Sequence, residues 1–538
     1  MPPPANASLG LQAVSHDRAA SNSVSPRTAS ARFWAAAILL AASAAVLFHL
    51  APSLPLGVAF DEPLKVGFVR EGGQNFQHPI LMLQAVRLAA FLTGVTDEAS
   101  VFALGRLAAS VSGGLLVFSA IALARRATGG LAALGAGLLT AVAPLTVLHA
   151  QLFKEDIFVA PWLILGVLAL DRLVETPIWR RAVWFGLAAG LAASAKYAGL
   201  VLLGLSLLPP LWAGTDMRRY YRMVALAAAV AGAVFCAIDL PLFVNPLTFI
   251  GGVRSEVDHA LRGHLIVLYG WQSHFLFTWT ANLWPGLRAP LALAGLAGAL
   301  IVAATWRRSP SVLRRLLIFG LVWYLLHELP PMKPFPEGAR HMTVMAAVFA
   351  IFAAFAAEWI ASRFQPRFRA FAAAAVIAAI AVLPALVSYR LVSSAPGDTQ
   401  LVVRRIVATL PGETLWARPV TFEPSLELSR PIETIEQLPG FTVINELFAA
   451  QYIEALSLSG QKRPMRQRAR AYEALLRRPA LRVSSKAGRF AFRNAPYRIV
   501  ALQGDPQALK AAAERFAAIP GIELDLVPGH AITPPRAD

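Results

Sequence analysis

Asp61 and Glu62 stand side by side just after an apolar stretch, Phe33 to Leu50, in Phe60-Asp61-Glu62-Pro63. Adjacent carboxylates on a loop point in different directions, so the pair is not a chelating site by itself. One acid can face a cavity and act as a general base while its neighbour holds local structure. A solvated pair that ends the apolar helix is the competing reading, and both stay open on the residues alone. Further ionisable groups follow at the rims of later apolar stretches: His78 in Gln77-His78-Pro79-Ile80, Arg87, and Arg106 in Gly105-Arg106-Leu107. Lys154-Glu155-Asp156, Lys196-Tyr197, the trio His259, Arg262 and His264, and Glu337-Gly338-Ala339-Arg340-His341 complete the set. Singly, most are explained by long side chains reaching from an apolar surface to its polar border. Gathered on one side of a membrane, carboxylates and several cations suit an anionic, lipid-linked substrate whose leaving group is a phosphate.

The elements that must position these groups are membrane spans. Of the 538 residues, 57% are hydrophobic and only 15% charged, and the mean hydropathy is +0.56. Soluble domains carry about a quarter charged residues, so a soluble, disordered or collagen-like chain is excluded. The apolar blocks run to about 20 residues, the length that crosses a bilayer core as a helix. They lie at 33–50, 103–123, 128–148, 157–174, 183–195, 197–213, 223–245, 288–305, 312–330, 340–360 and 369–392, which predicts eleven spans. Block 183–213 is read as two short segments that meet near Lys196, because a single crossing would move every later arginine loop to the other side.

With the N-terminus inside, the cytoplasmic loops contain Arg125/Arg126, Arg172/Arg180/Arg181, Arg218/Arg219/Arg222, Arg307/Arg308/Arg314/Arg315 and Arg363/Arg367/Arg369. That distribution follows the positive-inside rule. It also accounts for the net charge of +18 without nucleic acid as a partner. Residues 1–31 read as a disordered cytoplasmic tail, 32–392 as the membrane domain with outer loops 51–102 and 246–287, and 393–538 as an extracytoplasmic α/β domain. In the last, helices are expected at 399–410, 446–458 and 506–518 and strands at 441–444, 489–492 and 497–501. The basic run 462–470 reads as a solvated loop. Cys236 is the only cysteine, so an intrachain disulfide or a thiolate metal cluster is excluded.

The acid pair after span one, the His-Pro in the same loop, Gly105-Arg106-Leu107 and Lys196-Tyr197-Ala198-Gly199-Leu200 together resemble glycosyltransferase family 39 of the GT-C superfamily. These are transferases that use polyprenyl-phosphate sugars. Asn245-Pro246, the stretch Glu256 to His264, Trp284-Pro285-Gly286-Leu287 and the tail opening Gly397-Asp398-Thr399 are similar to bacterial members. The resemblance spans about 30–440. It departs at His78-Pro79-Ile80, where the family often has His-Pro-Pro, and at Arg340-His341, where Arg-Tyr is common.

The resemblance implies a mainly helical GT-C fold and an inverting single displacement on the extracytoplasmic face of a bacterial cell membrane. Asp61 would take the acceptor's proton, with Glu62 orienting it or binding acceptor. Lys196 and Arg340, then Arg262, His264 and Lys154, would hold the donor phosphate. His78, Asp156, Tyr197 and His259 would contact donor sugar or acceptor. The partners implied are a polyprenyl-phosphate-linked sugar, an acceptor lipid, protein or polysaccharide, and membrane lipid. No obligatory cofactor is expected, because no second paired-acid motif accompanies Asp61 and Asp156 to hold a divalent ion. The competing class is a transporter or flippase for a lipid-linked or anionic substrate. The placement of charged motifs on one face, with no midplane polar groups in broken helices, argues against it.

Overall fold

The computed structural model describes residues 26–51, 62–74, 76–208, 216–262, 276, 278–329, 337–417, 440–446, 449–450, 453, 463–486, 490 and 495–528. Its body is a bundle of apolar helices. Helix α1 is Pro26–Leu50, followed by the shorter α2 (Glu62–Glu71) and α3 (Leu81–Thr93). Then come α4 (Glu98–Ala124), α5 (Gly130–Val142), α6 (Pro144–His149), α7 (Glu155–Glu175), α8 (Trp179–Ala195), α9 (Val201–Leu205) and α10 (Met217–Ile238). The short α11 (Pro241–Val244) and α12 (Pro246–Arg262) precede α13 (Trp284–Ala304), α14 (Ser311–Glu328), α15 (Thr343–Ala361) and α16 (Pro366–Ser393).

Each apolar block of the sequence is thus helical over most of its described residues. Among the described residues, seven helices are long and apolar enough to cross a membrane, and they include α1, α4, α7, α10, α13 and α16. The chain is a multi-pass membrane protein, and the remaining crossings of the expected eleven would be made by shorter or broken segments. Two breaks have clear causes. Pro144 cannot donate to the helix ladder and divides α5 from α6, with Ala143 extended at φ −65°, ψ 128°. Lys196 is extended at φ −159°, ψ 137°, and a 3-10 turn, Tyr197–Leu200, leads into α9. The chain therefore breaks at Lys196, the point where the two segments were expected to meet.

The bundle core is continuous and built largely of small side chains. Ala109, Ala120, Ala133, Ala160, Ala189 and Ala350 are all fully buried, as suits helices that associate without a hydrophobic drive between them. At the arginine-rich end, Asp171 on α7 is fully buried and accepts from Ser311 Oγ at 2.9 Å. It also pairs with Arg126 at 3.2 Å and with Arg315. One carboxylate thereby ties the α4–α5 turn, α7 and the start of α14. Removing it would take a fully buried carboxylate from Arg315, while Arg126 would keep Glu175, so Asp171→Ala is expected to lower stability by about 3–5 kcal/mol. Thermal unfolding of the detergent-solubilised protein measures this, and an unchanged melting temperature would remove Asp171 from the account.

Beyond α16 the chain forms helix α17 (Thr399–Val407), strands β1 (Thr414–Ala417) and β2 (Phe441–Asn445), helix α18 (Arg463–Leu476), strands β3 (Ala480–Ser485) and β4 (Tyr497–Ala501), helix α19 (Pro506–Phe516) and strand β5 (Ile522–Val527). The sheet order is β1-β2-β4-β3-β5. β1 and β2 are parallel and the other pairs antiparallel. Val402, Ile406, Phe441, Val483 and Ile499 fill its core. The run 462–470, read from its charge as a solvated loop, lies mostly on α18 instead. Its Arg, Gln, Ala and Met residues are good helix formers, and Pro464 falls in the first turn, where proline is tolerated. Of the strand expected at 489–492, only Phe490 is described. Most of the helix expected at 446–458 lies outside the described residues.

Candidate active site

At the bundle end opposite the arginine-rich loops, four short connections converge. The first is the start of α2. Glu62 is fully buried there, and both its oxygens accept from Arg106 on α4, at 3.1 and 2.8 Å. Its Oε1 also accepts from the backbone N–H of Phe153 at 2.9 Å. The bidentate fork selects arginine over lysine at position 106. The neighbouring Gly105 permits the approach of the two segments, since a Cβ there would lie 2.5 Å from the Phe153 ring. Glu62 is therefore an anchor for the chain segment that follows Asp61. Asp61 itself lies outside the described residues.

The second connection, 150–154, delivers Lys154, Glu155 and Asp156 to the start of α7, all three nearly fully buried. Glu155 pairs with Lys65, which sits one turn along α2 from Glu62. The third is the break after α8, where Lys196 Nζ donates to Asp156 Oδ1 at 2.6 Å and lies 2.5 Å from His341 Nδ1. The fourth leads into α15. There Arg340 Nε lies 3.8 Å from Asp156 Oδ2, and His341 Nδ1 lies 3.3 Å from Asp156 Oδ1. The His341 ring stacks on His327 with centroids 5.5 Å apart. Asp156 is thus the hub for Lys196, Arg340 and His341, with Lys65 held on the neighbouring Glu155 and Lys154 two residues before it in the chain.

Lys196 owes its position to the tight doubling-back of the chain after α8. A Cβ at Gly199 would fall 2.3 Å from the backbone carbonyl carbon of Ala192, and backbone atoms cannot yield as a flexible side-chain tip can. Gly199→Ala is therefore expected to displace the Lys196 ammonium and to lower the melting temperature. A protein with unchanged stability and donor affinity would contradict this. The aromatic neighbour of the lysine is also engaged, since the Tyr197 hydroxyl donates to Phe76 O at 2.9 Å.

His78 faces the same constellation. Desolvation comes first, followed by the charges of Lys65, Lys196 and Arg340, and these hold its imidazole well below the usual range and hence neutral near pH 7. Its Nδ1 lies 4.0 Å from Glu256 Oε1 on α12. Desolvation raises the Glu256 carboxyl, against the pull of Lys196 and Arg340. His259 and Arg262 lie further along α12 without described side chains, and His264 lies outside the described residues.

The structure therefore gathers Lys154, Asp156, Lys196, Arg340 and His78 from the sequence-predicted set and anchors Glu62 beside them. Sequence reasoning gave no role to Lys65, Glu155, His341 or Glu256. One signal was available for Lys65: it lies three residues after Glu62, on the same helical face. Arg87, which the sequence also places at an outer rim, holds backbone, and so do Asp239 and Glu328. Arg87 donates to Phe68 O and Gly73 O, while Asp239 and Glu328 accept from the N–H groups of Ile80 and Thr278. Among the described residues, no group of three or more His, Cys, Asp or Glu side chains is arranged to hold a metal ion.

Residues 77–241, which include His78, Arg106, Asp156 and Lys196, match the sequence profile of the family described as dolichyl-phosphate-mannose-protein mannosyltransferase. A comparison with curated proteins found no match. Among solved structures, the archaeal oligosaccharyltransferase AglB from Archaeoglobus fulgidus, in complex with an inhibitory peptide and a dolichol-phosphate, superposes with a TM-score of 0.51 at 13% identity. That match covers 86% of this chain and 74% of AglB. ArnT from Cupriavidus metallidurans bound to undecaprenyl phosphate gives a TM-score of 0.48 at 15% identity, over 90% of this chain and 100% of its own. The S. cerevisiae protein O-mannosyltransferase Pmt1-Pmt2 complex bound to the sugar donor gives 0.34 at 17% identity, over 40% and 34%. Residues 77–241 thus match the model of a mannosyltransferase family, in line with the resemblance read from the sequence, and the chain shares the fold of the oligosaccharyltransferase AglB.

Proposed function

We propose that the chain transfers a sugar from a polyprenyl-phosphate donor to an acceptor hydroxyl, by a single displacement that inverts the anomeric carbon. The observation that carries this reading is the cluster in which Asp156 holds Lys196 and Arg340, beside the buried Lys65–Glu155 pair and the buried Lys154, at the bundle end where Glu62 is anchored. A departing polyprenyl phosphate gains negative charge as its bond to the sugar breaks. Preorganised cations in a site sheltered from water stabilise that charge far better than water does.

In this reading Asp61 accepts the proton of the attacking hydroxyl. Glu62 positions it, because its own oxygens are committed to Arg106 and Phe153. Lys196 and Arg340 take the phosphate, assisted by Lys154, with Arg262 and His264 of the outer loop 246–287 completing its binding. His78, Asp156, Tyr197 and His259 line the sugar or acceptor. The cations perform the charge stabilisation without a metal, so chelator is expected to leave transfer intact. The site opens to the extracytoplasmic face of a bacterial inner membrane, where a lipid-linked donor is the form of activated sugar at hand. The acceptor is a lipid, protein or polysaccharide of the envelope, and the 393–538 domain lies on the same side.

The test supplies purified protein with polyprenyl-phosphate sugars of known anomeric configuration and an envelope acceptor fraction, and reads the product anomer by NMR. An inverted product with stoichiometric polyprenyl phosphate is the expected result. Retained configuration overturns the single displacement, and transfer abolished by chelator and restored by metal overturns the metal-free mechanism.

A further inference from the structure

A second feature lies at the other end of the bundle, away from Asp156. Helices α7 and α8 diverge there to leave a groove of about 680 Å³. Its walls are apolar, with Trp162, Leu165 and Leu168 from α7 facing Trp184, Leu187 and Leu191 from α8. Its rim is charged and carries Arg126, Arg172, Arg181 and Glu175. Arg126 reaches Glu175 at 2.6 Å and Arg181 approaches it at 3.9 Å, so a single carboxylate on the rim is shared between two guanidiniums. The groove runs from Arg181 to Leu191 along α8 and from Arg172 to Trp162 along α7. Ten residues of helix rise about 15 Å, half of a hydrocarbon core of about 30 Å. The groove is therefore as deep as one leaflet, with the positive charge where that leaflet's headgroups lie.

We propose that this groove binds one anionic glycerophospholipid of the leaflet at the arginine-rich end. The phosphate would sit against the Arg172 and Arg181 guanidiniums, and an acyl chain would lie between Trp162 and Trp184. Guanidinium forks match phosphate oxygens, and basic pockets between membrane helices favour anionic headgroups. A zwitterionic lipid brings an ammonium group that the same arginines repel. A polyprenyl phosphate has a chain far longer than a groove that ends at mid-depth. The site is separate from the proposed catalytic constellation, which lies at the opposite ends of α7 and α8, and the inference does not depend on the reaction assigned there.

The test titrates phosphatidylglycerol, phosphatidylcholine or a polyprenyl phosphate into the full-length protein in detergent and follows thermal unfolding. Two variants accompany the wild type: Arg172→Gln with Arg181→Gln, and Ala169→Phe, which fills the groove floor without touching a charge. The wild type is expected to bind phosphatidylglycerol about tenfold more tightly than phosphatidylcholine. The arginine variant is expected to lose the preference, and Ala169→Phe to lose the stabilisation, with melting temperatures close to wild type in the absence of lipid. Equal wild-type responses to the two phospholipids, a preference unchanged in both variants, or a response to polyprenyl phosphate alone would each overturn the proposal. If the double variant does not fold, the Ala169→Phe titration decides between these outcomes.

Discussion

Asp61→Asn is expected to lower the rate of sugar transfer by about 10²–10⁴-fold, the usual range for losing a positioned general base. The substitution preserves shape and removes the proton-accepting charge, so donor affinity is expected to stay within about twofold of wild type, as it must if the lost interaction belongs to the transition state. Three of the described carboxylates at this end of the bundle are already engaged. Glu62 is fully buried, with its oxygens occupied by Arg106 and the Phe153 amide. Glu155 is held by Lys65, and Asp156 by Lys196. Single-turnover rates alongside donor binding check the separation. A variant with wild-type turnover would clear Asp61 and transfer the role of base to Asp156.

Lys196→Ala is the second change of large effect, with an expected loss of about 10²–10³-fold in turnover, comparable to removing one oxyanion donor. The ammonium lies 2.6 Å from Asp156 and 2.5 Å from His341, so it is fixed before substrate arrives. Lys196→Arg is expected to restore little, because a planar fork cannot occupy the place of a compact ammonium. Removing Lys196 also exposes Arg340 as the nearest cation on Asp156, at 3.8 Å. The Lys196→Ala and Asp156→Asn losses are therefore expected to combine non-additively. A double-mutant cycle on turnover measures the coupling, and simple additivity would mean that the two groups act apart.

Much of this architecture was legible in the sequence because its causes are local. A run of apolar residues commits to a helix once in lipid, since every backbone polar group must be satisfied within the segment. The blocks at 103–123, 157–174 and 369–392 accordingly reappear inside α4, α7 and α16. The break at Lys196 was legible for a similar reason, because the arginine loops on either side required an extra turn there. The charge partners were not legible. Lys65 and Glu155 are 90 positions apart, and Lys196 and His341 are 145 apart. Only packing between distant helices decides such pairs.

Glu62 illustrates the limit well. Its adjacency to Asp61 suggested shared chemistry, whereas its three accepted hydrogen bonds assign it to holding the loop. Strands β1, β3 and β5 also passed unnoticed. Each is 4–6 residues long, and their pairing partners lie far away in the chain. The helix α18 was masked by its own charge, since arginine favours helices as well as solvent.

The central claim is that the charged end of the bundle breaks a sugar–phosphate bond rather than passing an intact lipid across the membrane. Sealed proteoliposomes containing wild-type protein, a donor lipid radiolabelled in its sugar and an envelope acceptor fraction distinguish the two directly. Label on the acceptor is expected, with one unlabelled polyprenyl phosphate released for each sugar moved. Label that stays on intact donor lipid, now in the opposite leaflet, with no glycosylated acceptor, would contradict it and make the protein a lipid transporter.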